Sequence, residues 1–364
     1  MWRMFLIPLL LNTLKLIFIP PEEPAMLNGE NITLILTVIF ALVFNLANGW
    51  NDAANAIATV VSTRVLSFGK AVLLGSVLNF VGALFCSEVA RTVGHDIADP
   101  RLLSGITFLA AVIAAPLWIT WCTTRGLPTS CSHALLGALI GSVLVTSGGF
   151  SAFKSTGIQK IFFGVIFSPI AGFVLSYIIV KLVIFLSHYM RPQIATVTFG
   201  RLQLLSASAM AFAHGTGDAQ KAMGIISGAL VAAGITHPIS NADFIIPFWV
   251  RILCALTMAL GTCLGGKQVI RTIGSRLAHL RTYQGFSAET AAATTILINT
   301  LGGVPISTTH SITGAVMGVG AARGVKMVRW GVGRKIVFAW IVTFPVCIIG
   351  GALIHQLLRL SGLR

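Results

Sequence analysis

The chain is short of charge. Of 364 residues only 10% are charged and only ten are acidic, whereas a soluble domain carries roughly a quarter. An ordinary water-facing surface is therefore excluded. Chemistry-bearing signatures are missing too. The six cysteines (Cys86, Cys122, Cys131, Cys254, Cys263, Cys347) form no CxxC pair and no Cys/His cluster with metal-ligand spacing. They fall mostly in apolar runs and read as small core residues. No ten-residue segments alternate as barrel strands do. No GxGxxG links a strand to a helix, and no nucleophile–base pair or cofactor loop marks an enzyme. No cofactor is expected.

What is present is apolar length. The chain is 55% hydrophobic with mean hydropathy +0.89. Lipid leaves the backbone no partners except its own, so helices are the expected element, about 10 to 12 of them, some too short to span. The fold class is an all-α, multi-pass membrane protein, sited in the plasma (inner) membrane if the source is bacterial, with the lipid bilayer as its partner. The net charge of +15 would suggest nucleic acid in a soluble protein. Here the bases cluster between apolar runs, at Lys267, Arg271, Arg276 and Arg281 and again at Arg323, Lys326, Arg329, Arg334 and Lys335. Such clusters are topogenic and favour the cytoplasm, and no nucleic-acid partner is expected. Nothing in the composition decides for or against a homo-oligomer. The first 25 residues hold an apolar run interrupted by Lys15, with no A-x-A site after it. They read as an anchor, a poor signal, or an upstream start with Met26 as the initiator; residues 1–30 are set aside as an N-terminal extension.

The sequence repeats itself. NGWNDAANA (48–56) aligns with HGTGDAQKA (214–222) at an offset of 166, and GLPTSCSHALLGALIG (126–141) with GVPISTTHSITGAVMG (303–318) at an offset of 177. Both pairs occur in the same order, which implies an internal duplication, with a first repeat over 31–190 and a second over 191–364. The second P-x-S element is flanked by base-rich segments. The first is flanked by 91–101, where Arg91 and Arg101 offset Asp96 and Asp99, and by a stretch with only Lys154 and Lys160. Opposite flanks imply inverted topology. The apolar stretch from Glu289 to Asn299 and that from Ser307 to Val319 each look too short to span, so GGVPIS (302–307) is expected to turn a re-entrant hairpin. For the first copy, 106–125 reads equally as a full span or as half a hairpin.

Two constellations stand out. In PTSCSH and PISTTH, a proline at a first helical turn costs no hydrogen bond, and adjacent hydroxyls can cap. Two helices starting inside the membrane would present free amides, positive dipole ends and the hydroxyls of Thr129, Ser130, Ser132, Ser307, Thr308 and Thr309. That is a nest for a small tetrahedral oxyanion. The plain alternative is that these side chains bond back to their own helix or to a neighbour. His133 and His310 would hydrogen-bond the turn or serve proton coupling. The second constellation is acidic. Asp52 and Asp218 lie in apolar runs, where an unpartnered carboxylate costs several kcal/mol. Asn51, Asp52 and Asn55 offer hard oxygen ligands suited to sodium or a proton. Lys221, three residues after Asp218, either neutralises it or points at the anion. Gly49, Gly215 and Gly217 would let the helices break there.

At these residues the chain resembles the inorganic phosphate transporter family, the PiT group of sodium- or proton-coupled phosphate symporters. The family signature G-A-N-D-x-A-N-A is similar to Gly49-Trp50-Asn51-Asp52-Ala53-Ala54-Asn55-Ala56. The similarity runs from about residue 33 to near the C-terminus and includes both P-x-S elements. It implies inorganic phosphate as substrate, held by the six hydroxyls. It implies a coupling cation, sodium or a proton, at Asn51, Asp52, Asn55 and Asp218, with sodium ligands expected at Asp52, Asn55 and Asp218. Two departures stand out: Trp50 replaces a small residue, and Gly217 stands where the second copy commonly has Asn, so one ion-ligand side chain is missing. The expected activity is secondary active import by alternating access. A sulfate transporter of the same fold and, further off, an anion channel built on paired half-helices are the alternatives.

Overall fold

The computed structural model describes residues 29–236 and 244–363, so the expectations for the N-terminal extension fall outside it. The described residues fold into twelve α-helices. In chain order these are α1 (Gly29–Ser62), α2 (Phe68–Ala83), α3 (Glu88–Arg91), α4 (Gly105–Thr124), α5 (Cys131–Ser147), α6 (Ser155–Ser187), α7 (Pro192–Ala232), α8 (Phe248–Leu264), α9 (Lys267–Arg271), α10 (Thr282–Leu301), α11 (Thr308–Ala321) and α12 (Trp330–Leu360). Each of α3 and α9 runs on into a π turn, Thr92–Asp96 and Thr272–Arg276. Element for element, α1–α6 and α7–α12 correspond.

Helices α1, α4, α6 and α12 are each long and apolar enough to cross a bilayer, and two further crossings arise if the bent pairs are counted. Those pairs are α2 with α3 and its π turn, bent by 65°, and α8 with α9 and its π turn, bent by 64°. The broken elements are these, not the helices carrying the acids. α1 and α7 run unbroken through Gly49, Gly215 and Gly217. The glycines answer a different need, which is close approach. A Cβ on Gly49 would lie 2.5 Å from the Met258 carbonyl of α8, and one on Gly215 would lie 2.2 Å from that of Asn79 in α2. Each acid-bearing helix thus packs backbone to backbone on the bent helix of the other repeat, as small residues allow in membranes.

The P-x-S elements are hairpins. α4 and α5 pack on each other, as do α10 and α11. Single antiparallel bridges join Ala98 to Phe153 and Ala278 to Val328, so the segment entering each hairpin meets the segment leaving it. Entry and exit share a side. The stretch around Glu289 is longer than its apolar run suggests: α10 has 20 residues, matching the 20 of α4, because Thr282–Ala288 extends the helix with Tyr283 and Phe286 interleaved among polar and small residues. The prolines also sit elsewhere than expected. Helices α5 and α11 begin at Cys131 and Thr308 with Ser130 and Ser307 as N-caps, which leaves Pro128 and Pro305 before the helix.

Inverted topology follows by counting. With each bent pair as one crossing, α1, the α2–α3 pair and α6 make an odd number before α7, and the hairpin adds an even one. The second repeat therefore begins on the opposite side. Helices α6 and α12 turn apolar side chains outward, such as Phe162, Ile166 and Ile170 of α6 and Phe338, Ile341 and Ile349 of α12, as lipid-facing helices should.

Candidate functional site

The middles of α1 and α7 cross beside the two hairpin tips, and four buried polar segments meet there. Asn51, Asp52 and Asn55 come from α1, His214, Asp218 and Lys221 from α7, Thr129 and Cys131 from the first hairpin, and Thr308 and Thr309 from the second. All are at most 1% exposed. The α-helical period brings Asp52 and Asn55, and likewise His214, Asp218 and Lys221, to one face each.

The two aspartates form the centre. Thr308 Oγ1 donates toward Asp218 Oδ2 (3.2 Å) and stands 3.5 Å from Asp52 Oδ2, while Thr309 Oγ1 donates to Asp52 Oδ1 at 3.1 Å. His214 Nε2 lies 3.4 Å from Asp218 Oδ2 and 3.9 Å from Asp52 Oδ2. Its Nδ1 is paired with Asn79 Oδ1 at 3.0 Å. With its amide oriented to donate, Asn48 reaches Asp52 Oδ2 (3.1 Å) and Asp218 Oδ2 (3.3 Å). Asn48 and His214 are related by the same repeat offset of 166, so each repeat contributes one bridging group. Lys221 Nζ is an ion-pair partner of Asp218 Oδ1, both fully enclosed. Of the two expectations for Lys221, the geometry shows the pairing with Asp218.

The other expected ligands are placed as follows. Asn51 donates to Asp52 Oδ1 (2.6 Å) and accepts from Thr123 Oγ1 (2.8 Å). Asn55 Nδ2 donates to Thr308 Oγ1 and Thr309 Oγ1 at 3.1 and 3.0 Å. Its Oδ1 is buried with no partner. A buried acceptor left free costs about 1–3 kcal/mol, and beside two carboxylates it suits a hard cation. One donor atom each of Asp52, His214 and Asp218 lies within 4.8 Å of the others.

The hairpin tips abut one another. Thr309 Oγ1 stands 3.2 Å from the Thr129 carbonyl, and Ser132 Oγ donates to that of Ile306 (2.9 Å). Ser130 and Ser307 accept the amides of His133 and His310 at 3.1 and 3.3 Å, and each keeps its hydroxyl proton to donate elsewhere. Thr129 Oγ1 pairs with Thr343 Oγ1 at 2.7 Å. The amides that precede each capped one have no intrahelical acceptor, so two positive helix ends converge beside the carboxylates. The rings of His133 and His310 do not bond the turn. They stand edge to face at 4.4 Å, His310 stacks on Trp340 at 3.7 Å, and no ring nitrogen of either has a hydrogen-bond partner. Both rings line an apolar cavity of about 300 Å³ between α6 and α12.

A third buried acid has no signature in the sequence motifs. Glu289 of α10 is fully enclosed and accepts from Thr59 of α1, from Ser206 Oγ of α7 at 2.5 Å and from Gln203 Nε2 of α7 at 3.3 Å. An acid in an otherwise uncharged helix was the available signal. Its partners come from two other helices and leave no local pattern.

Comparison with known proteins identifies the family. The model of the phosphate transporter family (PHO4) matches twice, over residues 48–196 and 187–351. The chain belongs to the phosphate transporter family. Members of the family most similar to it include a Bacillus subtilis protein named "Probable low-affinity inorganic phosphate transporter", 40% identical over 333 residues, covering 90% of this chain and 98% of the relative. A Rhizobium meliloti protein of the same name is 42% identical over 325 residues, covering 88% and 95%. Among solved structures, one called "The sodium-dependent phosphate transporter" superposes with a TM-score of 0.83 at 27% identity, covering 90% of this chain and 99% of that one. As a member of this family with several apolar spans, the chain is an integral, multi-pass membrane protein.

Proposed function

We propose that the chain is a secondary active transporter that imports inorganic phosphate together with a monovalent cation, sodium or a proton, by alternating access. The observation that carries this reading is the pair of buried carboxylates, Asp52 and Asp218, touched by the hydroxyls of Thr308 and Thr309 at the start of a helix inside the protein. Phosphate would take the donors of the two helix ends, with Thr129, Ser130, Ser132, Ser307, Thr308 and Thr309 around it. A cation would take Asp52 and the free Asn55 oxygen, with Asn51 holding the Asp52 carboxylate and Lys221 pairing with that of Asp218. Thr308 and Thr309 border both positions and couple their occupancy.

The charge balance favours cotransport. Among the fixed-charge side chains, two carboxylates against one ammonium leave an excess of one negative charge for the ring of His214 or a bound cation to balance. An anion added alone would deepen it. A cation bound first neutralises it, so that the loaded centre can be enclosed away from water, where uncompensated charge costs most. A channel would have no need for this compensation. The names of the relatives and the solved neighbour support phosphate as the substrate. The two family-model matches, which meet near residues 187–196, support a division of the chain at 190–191.

The test is radiolabelled phosphate uptake by proteoliposomes holding wild type or Asp52→Asn. The variant should be folded and without coupled uptake. Wild-type uptake in the variant would contradict the reading.

A further inference from the structure

The two repeats do not offer a cation the same ligands. In the first, Asn51 and Asn55 flank Asp52. At the same register in the second, Gly217 and Lys221 flank Asp218. The first set fits a hard cation, with a carboxylate and a buried amide oxygen that has no partner. The second does not fit one: Gly217 has no side chain, and Lys221, only 1% exposed, brings an ammonium onto Asp218 Oδ1.

The surroundings of Gly217 sharpen the contrast. In the first repeat Thr123 Oγ1 donates to Asn51 Oδ1 at 2.8 Å. The residue related to Thr123 by the hairpin offset of 177 is Thr300. A Cβ built on Gly217 would lie 3.1 Å from Thr300 Oγ1. The second repeat thus keeps the hydroxyl that would hold an asparagine, but not the asparagine.

Resting on the cation-coupled reading, we propose that the Lys221 ammonium permanently occupies the second repeat's cation position, so that this chain has one mobile cation fewer than a transporter whose two repeats both carry the N-D-x-x-N set. Lys221 is a built-in counter-charge. It supplies the neutralisation of Asp218 that would otherwise need an ion drawn from solution, and it travels with the protein rather than with the substrate. The consequence is a lower cation-to-phosphate ratio, and hence weaker accumulation for a given gradient.

The experiment converts the second repeat into the first with the double substitution Gly217→Asn and Lys221→Asn. Sodium is titrated onto detergent-purified protein at constant ionic strength, and bound radioactive sodium is counted per chain. The double variant should bind one more sodium than wild type, and the substitution Asp218→Asn added to it should remove that extra ion. An unchanged count in a monodisperse double variant would overturn the proposal. If the double variant fails to fold, wild type decides: a sodium ion lost on Asp218→Asn while another remains at Asp52 would overturn it, and a wild-type count that Asp218→Asn leaves unchanged would support it. The count needs no transport. Absent phosphate uptake alongside the expected count would defeat the functional reading and leave this one standing.

Discussion

Removing one member of the Asp218–Lys221 pair should be worse than removing both. Asp218 is completely buried and Lys221 is 1% exposed, so neither charge can turn to water. Asp218→Asn strands an ammonium and Lys221→Met strands a carboxylate next to Asp52. Breaking a buried pair from one side costs about 3–5 kcal/mol, whereas replacing both members with neutral groups of similar size is often close to neutral. For a chain of this length that corresponds to a fall in unfolding temperature on the order of 5 °C for each single variant. The double variant Asp218→Asn/Lys221→Met should lie nearer wild type than either single variant, giving a coupling energy of about 2 kcal/mol or more. The assay is thermal unfolding of purified protein in detergent, read by loss of the monodisperse peak. Additive effects, or single variants within a degree of wild type, would show that the two side chains do not act as a buried pair.

Other outcomes follow from the same geometry. Ser130→Ala and Ser307→Ala each remove a helix cap and should each lower stability by about 1 kcal/mol, and the double variant should raise the KM for phosphate in uptake assays. Gly141→Leu would drive a side chain into α12, since even a Cβ at Gly141 lies 1.9 Å from the Ile348 carbonyl; loss of folded protein on size exclusion is expected. Glu289→Gln keeps the shape of the group that Thr59, Gln203 and Ser206 hold, so the variant should fold; a change in its cation dependence of uptake would tie Glu289 to coupling, and an unchanged dependence would make it structural. Excess unlabelled phosphate should suppress labelled uptake far more than equal sulfate; equal suppression would point to a general oxyanion carrier.

The sequence made the frame legible because duplication writes it twice. Asp52 and Asp218 align across one offset and the capping serines across another, and those positions converge in space. Less visible was what depends on contacts between repeats. Gly49 and Gly215 read as breakers, yet they sit in unbroken helices, because a backbone carbonyl of the opposite repeat occupies the place of a side chain. The extent of α10 exceeds its apolar run because its first turns interleave Tyr283 and Phe286 with polar and small residues, which an apolar-length criterion cannot see. His214 stood inside the quoted motif, but its bridging role depends on Asp52 from another helix. Glu289 draws its partners from α1 and α7, and no spacing along α10 encodes them.

The central claim is that phosphate movement is driven by a cation bound at the Asp52–Asp218 centre. The most direct measurement is phosphate accumulation in sealed proteoliposomes, with sodium and proton gradients imposed separately and then abolished. Coupled transport predicts that internal phosphate exceeds the external concentration under one of the two gradients and collapses to equality when that gradient is removed. Equilibration to the same level with and without either gradient would contradict it.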